Sequence, residues 1–91
     1  MNVVTNKNTD IKVGTVIEGR RRKCGITQSD IAGLAGISTV YYRDIAFGRS
    51  RPNWAIMGTI CSVLKINMAK LVEIYVLPDL IETDTDLDLR P

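Results

Sequence analysis

The chain has no histidine, only two cysteines and three prolines among its 91 residues, and aromatics make up 5% of it. Without histidine there is no side chain that ordinarily titrates near neutral pH, which excludes the Ser-His-Asp and Cys-His arrangements of nucleophilic catalysis. A tetrahedral zinc site wants four Cys or His ligands in close-spaced pairs, so Cys24 and Cys61 exclude a zinc finger. Cys61 lies in an apolar stretch and reads as a small buried hydrophobe, while Cys24 lies among charges; both read as free thiols of a reducing compartment. No apolar run approaches the roughly 18 residues of a membrane span, and MNVVTNKNTD lacks the apolar core of a secretory signal. The expectation is a cytoplasmic protein that is not an enzyme and needs no cofactor or metal. What remains is ordinary globular material: 45% hydrophobic and 24% charged residues, enough for one small domain.

The net charge of +2 hides a division. Residues 12–76 carry ten Lys and Arg against four Asp and Glu, a balance of +6, and residues 77–91 carry five acids against Arg90 alone, a balance of −4. A basic body attracts a polyanion, because each phosphate neutralised releases a condensed counterion. The run Arg20-Arg21-Arg22-Lys23 has a plainer reading as well, as a solvated helix end where cations complement the macrodipole.

Periodicity and punctuation predict five short helices and no strand in the body. Residues 1–10 are polar and read as a mobile arm, with Asp10 placed to cap a first helix over about 12–23, whose Val13, Val16 and Ile17 recur at helical spacing and which Gly25 ends. Thr27-Gln28-Ser29-Asp30 has capping-box spacing, so a second helix starts at Gln28, with Ile31, Leu34 and Ala35 on one face. Gly36 supplies a tight turn, Ser38 caps a third helix over about 39–46 with Tyr42 and Ile45 inward, and Gly48 closes it. Pro52 stops that helix and Asn53 caps a fourth, in which Trp54, Met57, Ile60, Cys61 and Leu64 form an apolar stripe. Asn67 caps a fifth segment, Met68 to Leu77, ended by Pro78. The domain plan is therefore an arm at 1–10, a helical body at 11–77 and an acidic tail at 78–91. Strict alternation in IETDTDLDL fits an exposed strand, an extended arm or a disordered terminus equally.

From Val13 to about Leu71 the chain resembles the lambda-repressor-like (Cro/CI, XRE-type) helix-turn-helix family. The resemblance rests on Gly14, Ile17 and Arg21, GITQ at 25–28, IA at 31–32, GIS at 36–38, Ile45, Gly48, Pro52 and LKINMAKL at 64–71. It implies an all-α, five-helix DNA-binding domain with a short acidic C-terminal tail, whose third helix enters the major groove of duplex DNA while the second crosses the backbone. By the family pattern Ser38, Thr39, Val40, Tyr41, Arg43 and Asp44 take groove-facing positions. Arg43 suits bidentate readout of a guanine, and Val40 and the Thr39 methyl suit a thymine methyl. Gln28, at a helix N-terminus, suits a phosphate, and Arg49 and Arg51 look like phosphate clamps. Tyr41 either contacts phosphate, the preferred role, or covers the helix surface; Asp44 either accepts from a cytosine amino group or, the preferred role, restrains Arg43.

Two positions depart from the family. Arg21 usually pairs with a Glu near the end of the third helix, where this chain has Ala46, so Arg21 is left to turn to Asp44 or to DNA. Arg20 replaces a usual core leucine, and its stem is expected to snorkel along the core edge.

A single recognition helix covers few base pairs, so a homodimer reading two half-sites on a palindromic operator is expected, as a repressor or autoregulator. The fifth segment is apolar on nearly every side, which assigns the dimer contact to Leu71, Val72, Tyr75 and Val76. The rival reading is an antitoxin-type regulator whose acidic tail engages a protein partner.

Overall fold

The computed structural model describes residues 7–76, and among them all regular structure is helical. The elements are α1 (Lys7–Cys24), α2 (Gln28–Ala35), α3 (Thr39–Ala46), α4 (Trp54–Leu64) and α5 (Met68–Val76). The expected tail, together with Leu77 and Pro78, lies outside the described residues, as do residues 1–6. No described helix is long and apolar enough to cross a membrane.

Three helix starts follow from one kind of cap. Thr27 Oγ1 accepts from the Asp30 N–H at 3.0 Å, Ser38 Oγ from the Tyr41 N–H at 3.0 Å, and Asn53 Oδ1 from the Ile56 N–H at 2.9 Å. Each satisfies a backbone donor that the first helical turn leaves without a partner. Asn67 Oδ1 does similar service for α5, accepting from the Ala69 N–H at 2.9 Å. Between α2 and α3, Gly36 sits at φ 73°, ψ 29°, a left-handed conformation that a Cβ would penalise, and the chain reverses there.

The core is a single cluster in which α1 packs on α3, α4 and α5, and α2 on α3 and α4. Val13 and Ile17 from α1 meet Ile31 and Ala32 from α2, Tyr42 and Ile45 from α3, Met57, Ile60 and Leu64 from α4, and Leu71 and Tyr75 from α5. α1 comes close against the end of α3, where a Cβ on Gly14 would overlap the Ala46 carbonyl oxygen. Glycine at 14 and a small residue at 46 thus bring the first helix directly against the end of the third.

Several helix-face expectations are corrected. α1 begins at Lys7 rather than near 12, so residues 7–10 belong to a helix and not to the arm, and Asp10 lies inside α1 rather than capping it. The inward residues of that first stretch are polar: Thr9 is buried and Asp10 is partly so, and a search for apolar periodicity cannot see them. Val16 is exposed beside a stripe carried by Val13 and Ile17, and in α2 Leu34 is 61% exposed while Ala32 takes its place inward. Trp54 begins α4 but is 54% exposed, meeting the buried Tyr75 ring edge-on with centroids 5.9 Å apart. Arg20 is exposed and reaches across to donate to the Lys65 carbonyl at 2.9 Å, as a snorkelling side chain does.

Candidate nucleic-acid interface

α3 is two-faced. Tyr42, Ile45 and Ala46 are buried, and Tyr41 is half-buried against the core. Val40, Arg43 and Phe47 fall at i, i+3 and i+7 and are exposed, Val40 at 66% and Phe47 at 58%, so one stripe over α3 and the residue that caps its end presents an apolar, a cationic and an aromatic side chain to solvent. Ser38 is exposed at the start of the same helix, while Thr39 and Asp44 are half-buried. Of the candidates on α3, then, Ser38, Val40 and Arg43 are the most open to solvent, and Tyr41 is half-buried.

Behind this stripe lies a polar hub centred on Glu18 of α1, a residue that no sequence motif singles out. Glu18 Oε1 accepts from Arg21 Nε at 3.0 Å and from the Tyr42 hydroxyl at 2.8 Å. Its Oε2 accepts from Arg21 Nη2 at 2.6 Å and from Gln28 Nε2 at 3.1 Å, with Arg22 Nε 3.7 Å away. Arg21 also donates through Nη1 to the Ile26 carbonyl at 2.6 Å, tying α1 to the loop before α2. The hydrogen bonds from Arg21 hold the Glu18 carboxyl down to about 2, against the opposing pull of burial and with help from Tyr42 and Gln28. Burial first, and then the bond to Glu18, push the Tyr42 hydroxyl well above the usual phenol value.

This hub answers the question left by Ala46. Arg21 turns neither to Asp44 nor outward to DNA; it closes on Glu18 three residues earlier in its own helix. The α1–α3 tie that the family makes through a Glu on α3 is made here by the Tyr42 hydroxyl reaching the same carboxylate. The signal for Glu18 was present as i,i+3 and i,i+4 spacing to Arg21 and Arg22. The signal for Tyr42 was not, because a position read as core gives no notice of where its hydroxyl goes.

The outward side of the hub shows what Gln28 and the loop arginines touch within the chain. Gln28 uses both ends of its amide within the protein, donating to Glu18 and accepting from Arg43 Nε at 2.9 Å. Arg43 is thus restrained by Gln28 and not by Asp44, whose Oδ1 instead accepts from Arg49 Nε at 3.0 Å. The two loop arginines also part company. Arg49 stays at the surface, its side chain 56% exposed and its guanidinium 5.0 Å from the centre of the Phe47 ring. Arg51 is turned inward: Nε donates to Asp10 Oδ1 at 2.8 Å, the guanidinium lies 4.3 Å over the Tyr75 ring, and Nη2 is buried. Arg51 is a bolt between the α3–α4 loop, α1 and α5, and its placement does not suit a phosphate clamp. Nothing in the sequence pairs Asp10 with Arg51 across so long a separation.

The residues assigned to a dimer contact divide in the same way. Leu71 and Tyr75 are 0% and 4% exposed and belong to the chain's own core, whereas Val72 and Val76 lie one turn apart on the outside, 37% and 49% exposed. Trp54 of α4, exposed, stands edge-on to Tyr75 of α5.

Comparison with known proteins agrees with this architecture. A helix-turn-helix family model matches residues 17–71, more than half of the chain. The ImmF control region 10 kDa protein of Bacillus phage phi105 is 30% identical over 70 residues, which are 75% of this chain and 78% of that protein. Among solved structures, the clp gene regulator ClgR from Corynebacterium glutamicum superposes with a TM-score of 0.67 over 90% of this chain and 87% of its own, at 16% identity, a likeness of fold.

Proposed function

This chain belongs to the helix-turn-helix family of DNA-binding transcriptional regulators, of the lambda-repressor-like (Cro/CI, XRE) type, and on that premise we propose that it binds a two-fold-symmetric operator as a homodimer and acts there as a repressor or autoregulator. The observation that carries the DNA reading is the exposed Val40–Arg43–Phe47 stripe over α3 and its C-terminal cap, buttressed from behind by α1 and α2. Arg43 reads a guanine through its terminal nitrogens, Val40 meets a thymine methyl, and Ser38 and Arg49 engage phosphates at either end of the helix. The N-terminus of α2 adds backbone N–H groups toward the phosphate chain.

The dimer reading is supported by scale and by surface. One eight-residue helix spans few base pairs, and symmetric half-sites about 34 Å apart are how two such helices lie in successive major grooves. Val72 and Val76 are the apolar surface we assign to the contact; Leu71 and Tyr75 support it from within. A repressor needs only to occupy its operator, and the phage relative is named for a control region. Selection of bound sequences from random duplex DNA tests the reading: it should return a palindrome, and a return of unrelated sequences counts against it.

A further inference from the structure

An arginine on an exposed helix face ordinarily samples many rotamers, yet Arg43 is anchored through Nε to the Gln28 amide oxygen at 2.9 Å. A glutamine amide has one donating and one accepting end, and which end faces Arg43 depends on what lies on the other side. There lies Glu18 Oε2, 3.1 Å from Gln28 Nε2. An ionised carboxylate only accepts, so Glu18 commits the amide nitrogen to itself and the amide oxygen to Arg43. The reverse orientation would set an amide NH2 against a guanidinium, donor against donor. Glu18 is in turn held from rotating: Arg21 bridges both its oxygens at 3.0 and 2.6 Å, and the Tyr42 hydroxyl donates to Oε1 at 2.8 Å. With Nε occupied, the two terminal nitrogens of Arg43 have no protein partner among the described residues, and they form the fork that spans O6 and N7 of a guanine.

We propose that Glu18 is a positioning residue for base readout: without touching DNA, it fixes the Gln28 amide and thereby the direction in which Arg43 presents its fork. The inference rests on the reading of α3 as the groove helix. It places part of the chain's sequence preference on α1, an element with no base contact.

A purely structural role would weaken binding to all sequences alike, whereas a positioning role changes the preference at one base pair. Full-length wild type, Arg43→Ala, Glu18→Gln and the double variant are each checked for folding by circular dichroism. They are then titrated against the selected operator and its single-base-pair variants at two salt concentrations. Arg43→Ala should lower discrimination at one base pair of each half-site by about tenfold. Glu18→Gln should lower it at that same base pair by at least about threefold, leave the others and the salt slope unchanged, and add nothing further in the double variant. A folded Glu18→Gln protein that keeps wild-type discrimination there overturns the proposal. Should the glutamine variant not fold, Glu18→Asp takes its place under the same criterion, because it keeps the charge for Arg21 and withdraws the oxygen from Gln28. A wild-type protein that selects no motif overturns the DNA reading, and this inference with it. That outcome is distinct from a selected motif whose preference ignores Glu18.

Discussion

At the scale of the residue, the arginines show how little a residue type says without its surroundings. From sequence Arg21 and Arg22 read as helix-end charges, Arg43 as a reader of guanine, and Arg49 and Arg51 as phosphate clamps. In the fold Arg21 closes on Glu18, Arg43 is aimed by Gln28, Arg49 stays outside with Asp44 and Phe47, and Arg51 is bolted between Asp10 and Tyr75. Arg49 and Arg51 are two residues apart and separable by experiment. Arg49→Ala should reduce the slope of log affinity against log salt by about 1 and change stability by less than about 1 kcal/mol, since an exposed pair contributes little. Arg51→Ala should leave that slope alone and cost about 1–3 kcal/mol in urea unfolding, because it leaves Asp10 in a partly buried place without its counterion and uncovers the Tyr75 ring. Exchanged outcomes would put Arg51 back on the phosphate chain.

At the scale of the element, the starts of α2, α3 and α4 were legible because Thr27, Ser38 and Asn53 are side chains that announce a helix start, and the structure puts each to that use. The start of α1 was not legible, since its first inward positions are Thr9 and Asp10, polar residues that a hydrophobic rhythm omits. Leu34 and Trp54 were misplaced for the complementary reason: an apolar residue at helical spacing need not face the core. The hub that joins α1 to α2 and α3 makes a prediction at this scale. Glu18 titrates near 2 in the fold against an ordinary 4.5, so its ionised form favours the folded state. That contribution is complete above pH 4.5 and is lost as pH falls toward 2; it amounts to at most roughly 3 kcal/mol. In urea denaturation, the stability gap between wild type and Glu18→Gln should therefore be widest above pH 5 and narrow steadily toward pH 2.5. A gap that stays constant with pH would mean that the carboxylate charge does not hold α1 in place.

At the scale of the whole molecule, the fold class, the five helices and the basic body were readable because they depend on averages over many residues, while the site depended on individual side-chain contacts that no average contains. The proposed dimer surface shows the limit plainly. α5 is apolar on nearly every side because it serves its own core through Leu71 and Tyr75 as well as the outside through Val72 and Val76, and composition cannot divide the two. Replacing Val72 and Val76 together by aspartate should give a folded monomer in sedimentation, with binding to the full operator reduced at least tenfold and binding to an isolated half-site retained. A variant that sediments as a dimer would place the contact elsewhere.

The central claim is that the α3 stripe reads duplex DNA by sequence, and selection from random duplexes at two salt concentrations, run in parallel on wild type and Arg43→Ala, tests it most directly. The account predicts a palindrome with half-sites one helical turn apart, binding that weakens steeply with salt while the motif persists, and loss of one base-pair preference in each half-site when Arg43 is removed. Enrichment of no motif, with weak binding that merely vanishes as salt rises, would contradict it.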